Sequence, residues 1–265
     1  MIDKTRFIQD CEALRAQSPL VHNITNYVAM NIAANVLLAA GASPLMSFCP
    51  EEMDEIVKIS SALVINIGCL DMQEIAGMRL AAAAALKYGK PWVLDPVGAG
   101  ASTLRTETAL ELVREYHPTI IRGNASEIMC LAGLAIKSRG VDSSASTSDA
   151  VEAAKALAKE TGAVVSVSGA VDYVTDGERL ESVANGSPLM GRVTAMGCSA
   201  SALTGAFAAV DSDAFSAALN TMVMMGVAGD IAAEGTAGTG TFQLRFLDAL
   251  TTFDAAAASE RIRQA

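Results

Sequence analysis

The chain has 265 residues, 51% of them hydrophobic, which is ample for a sizeable core and excludes a disordered polymer. Its formal net charge is −10 and its Lys and Arg residues form no cluster, so it lacks the basic footprint that nucleic-acid binding requires. No run of about 18 uninterrupted apolar residues occurs, and the opening Met1–Phe7 stretch has no apolar signal core, so a cytoplasmic protein without a membrane partner is expected.

In chain order, β-prone runs at 44–47, 62–68, 91–94, 119–122 and 163–167 alternate with helical patterns at 28–40, 50–60, 72–88, 103–116, 124–133 and 148–161. Such alternation predicts an α/β fold with a mainly parallel sheet and helices on both faces. Past Gly169 the pattern changes. Runs at 171–175 and 179–183 flank Asp176-Gly177, a two-residue hairpin signal, so an antiparallel edge should follow the parallel core. From Cys198 onward helices are expected at 198–209, 213–234 and 243–262, the middle one apolar nearly all round and therefore buried. Segment 138–147 reads as a mobile loop. No internal repeat divides the chain, so residues 1–265 are expected to form one domain. The five cysteines, Cys11, Cys49, Cys69, Cys130 and Cys198, are scattered and never spaced C-x-x-C, which argues against disulfides and structural zinc.

Ligands of open α/β sheets bind beyond the carboxyl ends of the strands. Those ends carry Met46 and Ser47, Asn66 and Gly68, Asp95-Pro96-Val97-Gly98, Arg122-Gly123-Asn124, and Ser168-Gly169. The turn Ala195-Met196-Gly197-Cys198 runs directly into a helix. The first N–H groups of a helix lack partners and its dipole adds positive charge, so this turn suits the anion hole of a small-molecule kinase. Neither G-x-x-x-x-G-K-[ST] nor an early G-x-G-x-x-G occurs, which disfavours a P-loop kinase or a Rossmann dehydrogenase.

Each residue also has a plainer reading. Asp95 and Glu127 would be oxygen donors for Mg²⁺, yet singly they suit a turn and a helix start. Arg122 suits a phosphate fork or an interior ion pair; Ser168 a phosphate donor or a cap at Gly169; Met46 an apolar pocket or the core. His22 fits a structural hydrogen bond. Asn26 reads as a helix N-cap and, with Gly68, as a border of the substrate. Cys198 would be a weak general base or an acceptor that orients an alcohol, because a helix end lowers a thiol pKa and a nearby polyphosphate raises it.

Four pieces, His22-Asn23-Ile24-Thr25-Asn26, Asp95-Pro96-Val97-Gly98-Ala99, Arg122-Gly123-Asn124-Ala125-Ser126-Glu127 and Thr194-Ala195-Met196-Gly197-Cys198, strongly resemble the hydroxyethylthiazole kinase family. The resemblance covers roughly residues 18–245 in the same order. It implies a ribokinase-like three-layer α/β/α fold, usually a homotrimer with sites near subunit interfaces. It also implies transfer of the γ-phosphoryl of Mg-ATP to the hydroxyethyl oxygen of 4-methyl-5-(2-hydroxyethyl)thiazole in thiamin salvage. Carried over by motif, ATP contacts fall on Arg122 and Ser168, thiazole contacts on Met46 and Ala195, Mg²⁺-side acids on Asp95 and Glu127, and the catalytic position on Cys198 beside Gly197. The family usually has Gly-Thr-Gly-Cys at that turn. Alanine can replace glycine there only at negative φ, and its Cβ would crowd anything that approaches the backbone closely. Gly238–Phe242 resembles a further family turn, with Thr239 where Pro is common. Two other readings stay open. One is a related enzyme, a hydroxymethylpyrimidine kinase or a dehydratase of hydrated NAD(P)H, in which Asp is preferred where Cys198 stands; the other is a non-catalytic nucleotide-binding protein.

Overall fold

The computed structural model describes residues 1–135, 147–236 and 238–265. The expected loop at 138–147 lies outside the described residues except for Thr147. Among the described residues, eight strands form one sheet: β1 (Leu20–Ile24), β2 (Ser43–Met46), β3 (Ala62–Asn66), β4 (Trp92–Asp95), β5 (Ile120–Asn124), β6 (Val164–Ser168), β7 (Asp172–Thr175) and β8 (Leu180–Val183). Their order is β2-β1-β3-β4-β5-β6-β7-β8. Pairing is parallel from β2 through β6 and antiparallel for β7 and β8, as the switch to a hairpin pattern predicts.

Helices α1 (Lys4–Gln17), α2 (Met30–Ala40), α3 (Met53–Ile59), α4 (Met72–Tyr88), α5 (Thr103–Tyr116), α6 (Ala125–Ala135), α7 (Thr147–Thr161), α8 (Met196–Val210), α9 (Ala214–Ala233), α10 (Thr239–Thr251) and α11 (Ala255–Ser259) cover both faces. Alternation along the strands divides the core. Val21, Val64, Val93, Ile120 and Val164 meet α1, α2, α8, α9 and α10, whereas Leu63, Ile65, Trp92, Leu94 and Ile121 meet α3 to α7. Three layers result. Among the described residues α9 is the one helix long and apolar enough to cross a membrane, and 78% of that window is buried in the core. Thr239 is the first residue of α10, a position where Pro would be tolerated because the N–H there needs no partner within the helix.

Two early elements escape the sequence pattern. In β1 the polar pair His22 and Asn23 interrupts the apolar run, yet both are buried: His22 Nε2 donates to the Ser47 carbonyl at 2.9 Å and Asn23 Nδ2 to that of Val21 at 2.9 Å. Helix α1 has a mixed surface, and Asp3 caps it by accepting from Arg6 N at 3.0 Å. The expected helix at 243–262 breaks in two, because Asp254 caps α11 by accepting from Ala257 N at 3.0 Å.

A buried acid pair ties α1 to α9 and to the end of α8 within one layer. Asn220 Nδ2 of α9 donates to Asp10 Oδ2 at 2.7 Å, while Arg6 Nε binds Asp211 Oδ2 at 2.8 Å. Burial first, and then hydrogen bonding and charge from Asp211, hold the Asp10 carboxyl well above the ordinary carboxylate range. A folded-state pKa raised above the unfolded value means stability present in acid and lost as pH rises through the folded value. Asp10→Asn is therefore expected to raise Tm at pH 8 by about 2–4 °C and to change it little at pH 4. Thermal unfolding at the two pH values checks this; equal shifts at both would refute it.

Candidate active site

The carboxyl ends of β4, β5 and β6 and the start of α8 border a cavity of about 760 Å³. Asp95, Arg122, Glu127, Ser168, Ala195, Gly197 and Cys198 all line it. Its remaining wall comes from the connection after β8, residues 185–191, and from Met222 and Met225 of α9. Met46, Asn26 and Gly68 lie outside the lining. Met46 ends β2, two strands from β3, half-buried against the core.

At the head of α8 the structure corrects one expectation. Ala195 has φ 63° and ψ 11°, in the left-handed region rather than at negative φ. Thr194 and Ala195 form the turn that leads into the helix, and the turn holds Ala195 against the clash of Cβ with its own backbone, at a cost of roughly 1–2 kcal/mol. The Ala195 carbonyl accepts from Ser199 N at 2.8 Å, and the N–H groups of Met196, Gly197 and Cys198 have no partner among the described residues.

Arg122 packs directly beneath this turn. A Cβ on Gly197 would sit 2.8 Å from Arg122 Nη1, so the guanidinium touches the helix end because residue 197 has no side chain. Arg122 is 7% exposed and its Nε has no hydrogen-bond partner among the described residues. A buried guanidinium with an unsatisfied donor beside partnerless amides suits an anionic ligand, since burial is costly without such a partner.

An amide and carboxylate chain runs behind Cys198. Asp95, 1% exposed, accepts at Oδ2 from Asn66 Nδ2 at 2.6 Å and from Ser201 Oγ at 2.7 Å. Burial pushes its carboxyl up to about 6, against the opposing charge of Arg122. Asn66 Oδ1 in turn accepts from Asn26 Nδ2 at 3.0 Å and from Gly68 N at 2.9 Å. Asn26 Nδ2 also lies 3.4 Å from Cys198 Sγ, so Asn26, and through Asn66 also Gly68, join the Cys198 corner without bordering the cavity. Gly68 cannot carry a side chain, because a Cβ would meet Asn26 Nδ2 at 2.6 Å. Burial first, then the charge of Asp95, raise the Cys198 thiol above its ordinary value, leaving it neutral near pH 7. Sequence reading marks Asn66 only as a strand-end residue and gives Ser201 no role. Ser201 follows Cys198 at a helical i,i+3 spacing, a signal that places both on one face.

Glu127 accepts at Oε1 from Gly98 N at 2.9 Å and at Oε2 from Asn124 N at 2.8 Å, and Asn124 Oδ1 accepts from Glu127 N at 3.0 Å. Its helix-start reading thus holds, and it still lines the cavity. No group of three or more metal-ligating side chains occurs among the described residues. Two carboxylates on one cavity nevertheless fit Mg²⁺, which keeps most of its waters and takes its remaining oxygens from phosphates. Among the described residues Ser168 Oγ makes only a long contact, 3.4 Å, to the Gly123 carbonyl, so it is available to a ligand. Arg105 braces the rim, donating through Nη1 to the carbonyls of Ile67 and Val97 at 2.7 and 2.9 Å, and through Nη2 to that of Gly68 at 2.9 Å.

Comparison with known proteins gives the family and the fold. The model of the hydroxyethylthiazole kinase family matches residues 11–256. A hydroxyethylthiazole kinase from Leptospira biflexa serovar Patoc is 52% identical over 248 residues, covering 94% of this chain and 93% of that one. One from Rhizobium etli is 53% identical over 253 residues, covering 95% and 98%. The solved structure of hydroxyethylthiazole kinase from Pyrococcus horikoshii OT3 superposes with a TM-score of 0.91 at 39% identity, over 98% of this chain and 99% of that one. Pyridoxal kinase from Staphylococcus aureus, solved with AMP-PCP, shares the fold alone, with a TM-score of 0.62 at 15% identity over 80% and 88% of the two chains. The three-layer architecture is thus ribokinase-like.

Proposed function

The chain belongs to the hydroxyethylthiazole kinase family, and on that premise we propose that it transfers the γ-phosphoryl of ATP to the hydroxyethyl oxygen of 4-methyl-5-(2-hydroxyethyl)thiazole. The observation that carries this reading is the meeting, on one cavity, of the free N–H groups at 196–198, the orphaned Nε of Arg122 and the Cys198 thiol. Phosphoryl transfer asks a protein chiefly for alignment and for charge stabilisation. Arg122 and Ser168 hold the polyphosphate. The head of α8 faces the transferring group, whose equatorial oxygens gain stabilisation from amides that need no reorganisation. Asp95 and Glu127 would hold Mg²⁺, which supplies charge neutralisation between the phosphates.

The alcohol oxygen bonds to the γ-phosphorus as the bond to the bridging oxygen breaks, giving the thiazole phosphate, ADP and a proton. Cys198 orients that oxygen. With its pKa raised, the thiol is a poor base, and a loose transition state demands little of one. Met46, Asn26 and Gly68 lie toward the acceptor side, at the ends of β1 to β3. Four free cysteines besides Cys198 accord with a reducing, cytoplasmic setting, and a homotrimer would bring a neighbour's surface against the acceptor side.

Release of ADP that depends on the thiazole alcohol, Mg²⁺ and ATP tests the reading. ATP binding by calorimetry without such turnover would favour a nucleotide sensor, and turnover with hydroxymethylpyrimidine instead would favour that related activity. Cys198→Ala is expected to lower kcat by about 5-fold to 100-fold, and Cys198→Asp to keep or raise it. An unchanged kcat for the alanine variant would remove Cys198 from the mechanism.

A further inference from the structure

The connection after β8 forms one wall of the cavity but has little regular structure of its own beyond a single 3-10 turn at Met190–Arg192. Something else must hold it. We propose that the C-terminal segment Arg261–Ala265, acting through Asp230 of α9, is a strap that positions this wall for the nucleotide; the nucleotide assignment rests on the function proposed above.

Asp230 is the knot of the strap. Its Oδ1 accepts from Gly186 N at 3.0 Å and from Arg263 Nη2 at 3.1 Å, and its Oδ2 accepts from Asn185 Nδ2 at 2.7 Å, with Arg263 Nη1 at 3.1 Å. Asn185 is 7% exposed and fully engaged: Nδ2 also donates to the Arg261 carbonyl at 2.8 Å, and Oδ1 accepts from Arg263 N at 2.7 Å. Backbone pairing extends the clasp, since Ala184 N donates to the Arg263 carbonyl at 2.7 Å and Ala265 N to Ser182 Oγ at 3.0 Å. The tail thereby lies along β8, the free edge of the sheet.

On its other side the wall is pressed onto α9. A Cβ on Gly226 would come within 2.7 Å of Asn185 Cβ, and one on Gly229 within 2.5 Å of Met190 Sδ. Gly186 has φ 122°, a conformation that favours glycine and lets the wall turn sharply over α9. Helix α9 supplies a fixed floor and the tail a clamp from outside. Neither the tail nor Asp230 borders the cavity, and neither contacts α8, β3 or β4 through the bonds named here. Asp230 is accordingly a positioning residue, and its effect should fall on one substrate only.

The test uses the full chain with Asp230→Ala, Asp230→Asn and a variant lacking residues 261–265. Expected are a rise of about tenfold in KM for ATP for the alanine and truncated variants, a smaller rise for asparagine, and a KM for the thiazole alcohol and a kcat within about twofold of the parent. A lowered Tm with both KM values unchanged would make the clasp merely structural and overturn the proposal, as would equal rises in both KM values. If the first variants do not fold, Arg263→Ala, on a side chain 53% exposed, removes two arms of the clasp and must itself raise KM for ATP several-fold. A parent chain without thiazole-dependent ADP release counts against the proposed function alone. The strap is then judged by calorimetric Kd for ATP, where an unchanged value in the variants overturns it.

Discussion

Gly197→Ala is expected to lower kcat by about 10²–10³-fold while leaving the protein at least as stable as before. Residue 197 is the second of α8 and has no positive φ, so alanine suits the backbone and should, as the better helix former, add roughly 0.5–1 kcal/mol of helix stability. Its methyl, however, would lie 2.8 Å from Arg122 Nη1, closer than nonbonded atoms tolerate. The guanidinium must swing away. Both elements proposed to meet the phosphates, the α8 amides and the Arg122 fork, are then displaced or screened by one methyl group. Steady-state kinetics paired with thermal unfolding separates the effects: kcat should collapse while Tm holds or rises. A kcat within threefold of the parent would show that the amides at 196–198 do not face the transferring group. Arg122→Ala, by contrast, should act mainly through KM for ATP.

Legibility in the sequence followed the range of the forces involved. Helices α4 and α5 were readable to the residue because their ends carry local signals: the capping box of Asp71 with Glu74, the left-handed Gly89, and Ser102 accepting from Arg105 N. Strand β1 was not, because burial of His22 depends on the Ser47 carbonyl, supplied by a separate strand end. The break between α10 and α11 had a visible cause in Asp254, but the alanine-rich run after it masked the cap. At the cavity, the ends of β4, β5 and β6 were legible from the general rule for open α/β sheets and the head of α8 from its small-residue turn, whereas Met46 and Gly68, also at strand ends, fall outside the lining. The chain from Asn66 through Asp95 to Ser201 was not, since its hydrogen bonds join positions 29 and 106 residues apart. The positive φ at Ala195 was not legible for a related reason: local steric preference opposes it, and the turn into α8 that carries it is a property of the fold.

The acid limb of the pH–activity profile should belong to Asp95. In the proposed mechanism its carboxylate form is the useful one, and burial pushes its pKa up to about 6, so kcat/KM is expected to fall below that pH with the slope of a single proton. Asp95→Asn should lower kcat/KM by at least about 10²-fold and leave the residual rate flat across that range. The same shift acts on stability with a definite sign. A carboxyl raised from 3.8 to about 6 favours the folded state in acid, and that advantage is lost as pH climbs through this window, so the ionised side chain costs up to about 3 kcal/mol at pH 8. Asparagine can still accept from Asn66 and Ser201 through its carbonyl oxygen, so the variant should unfold at a higher temperature than the parent at pH 8 while being nearly inactive. Asp172 offers the discriminating control, because it lines the same cavity and burial also pushes it up to about 6. Should Asp172→Asn abolish the acid limb and Asp95→Asn retain it, the titrating acid is the one beside Gly169, and Asp95 has no part in binding the metal-bound nucleotide.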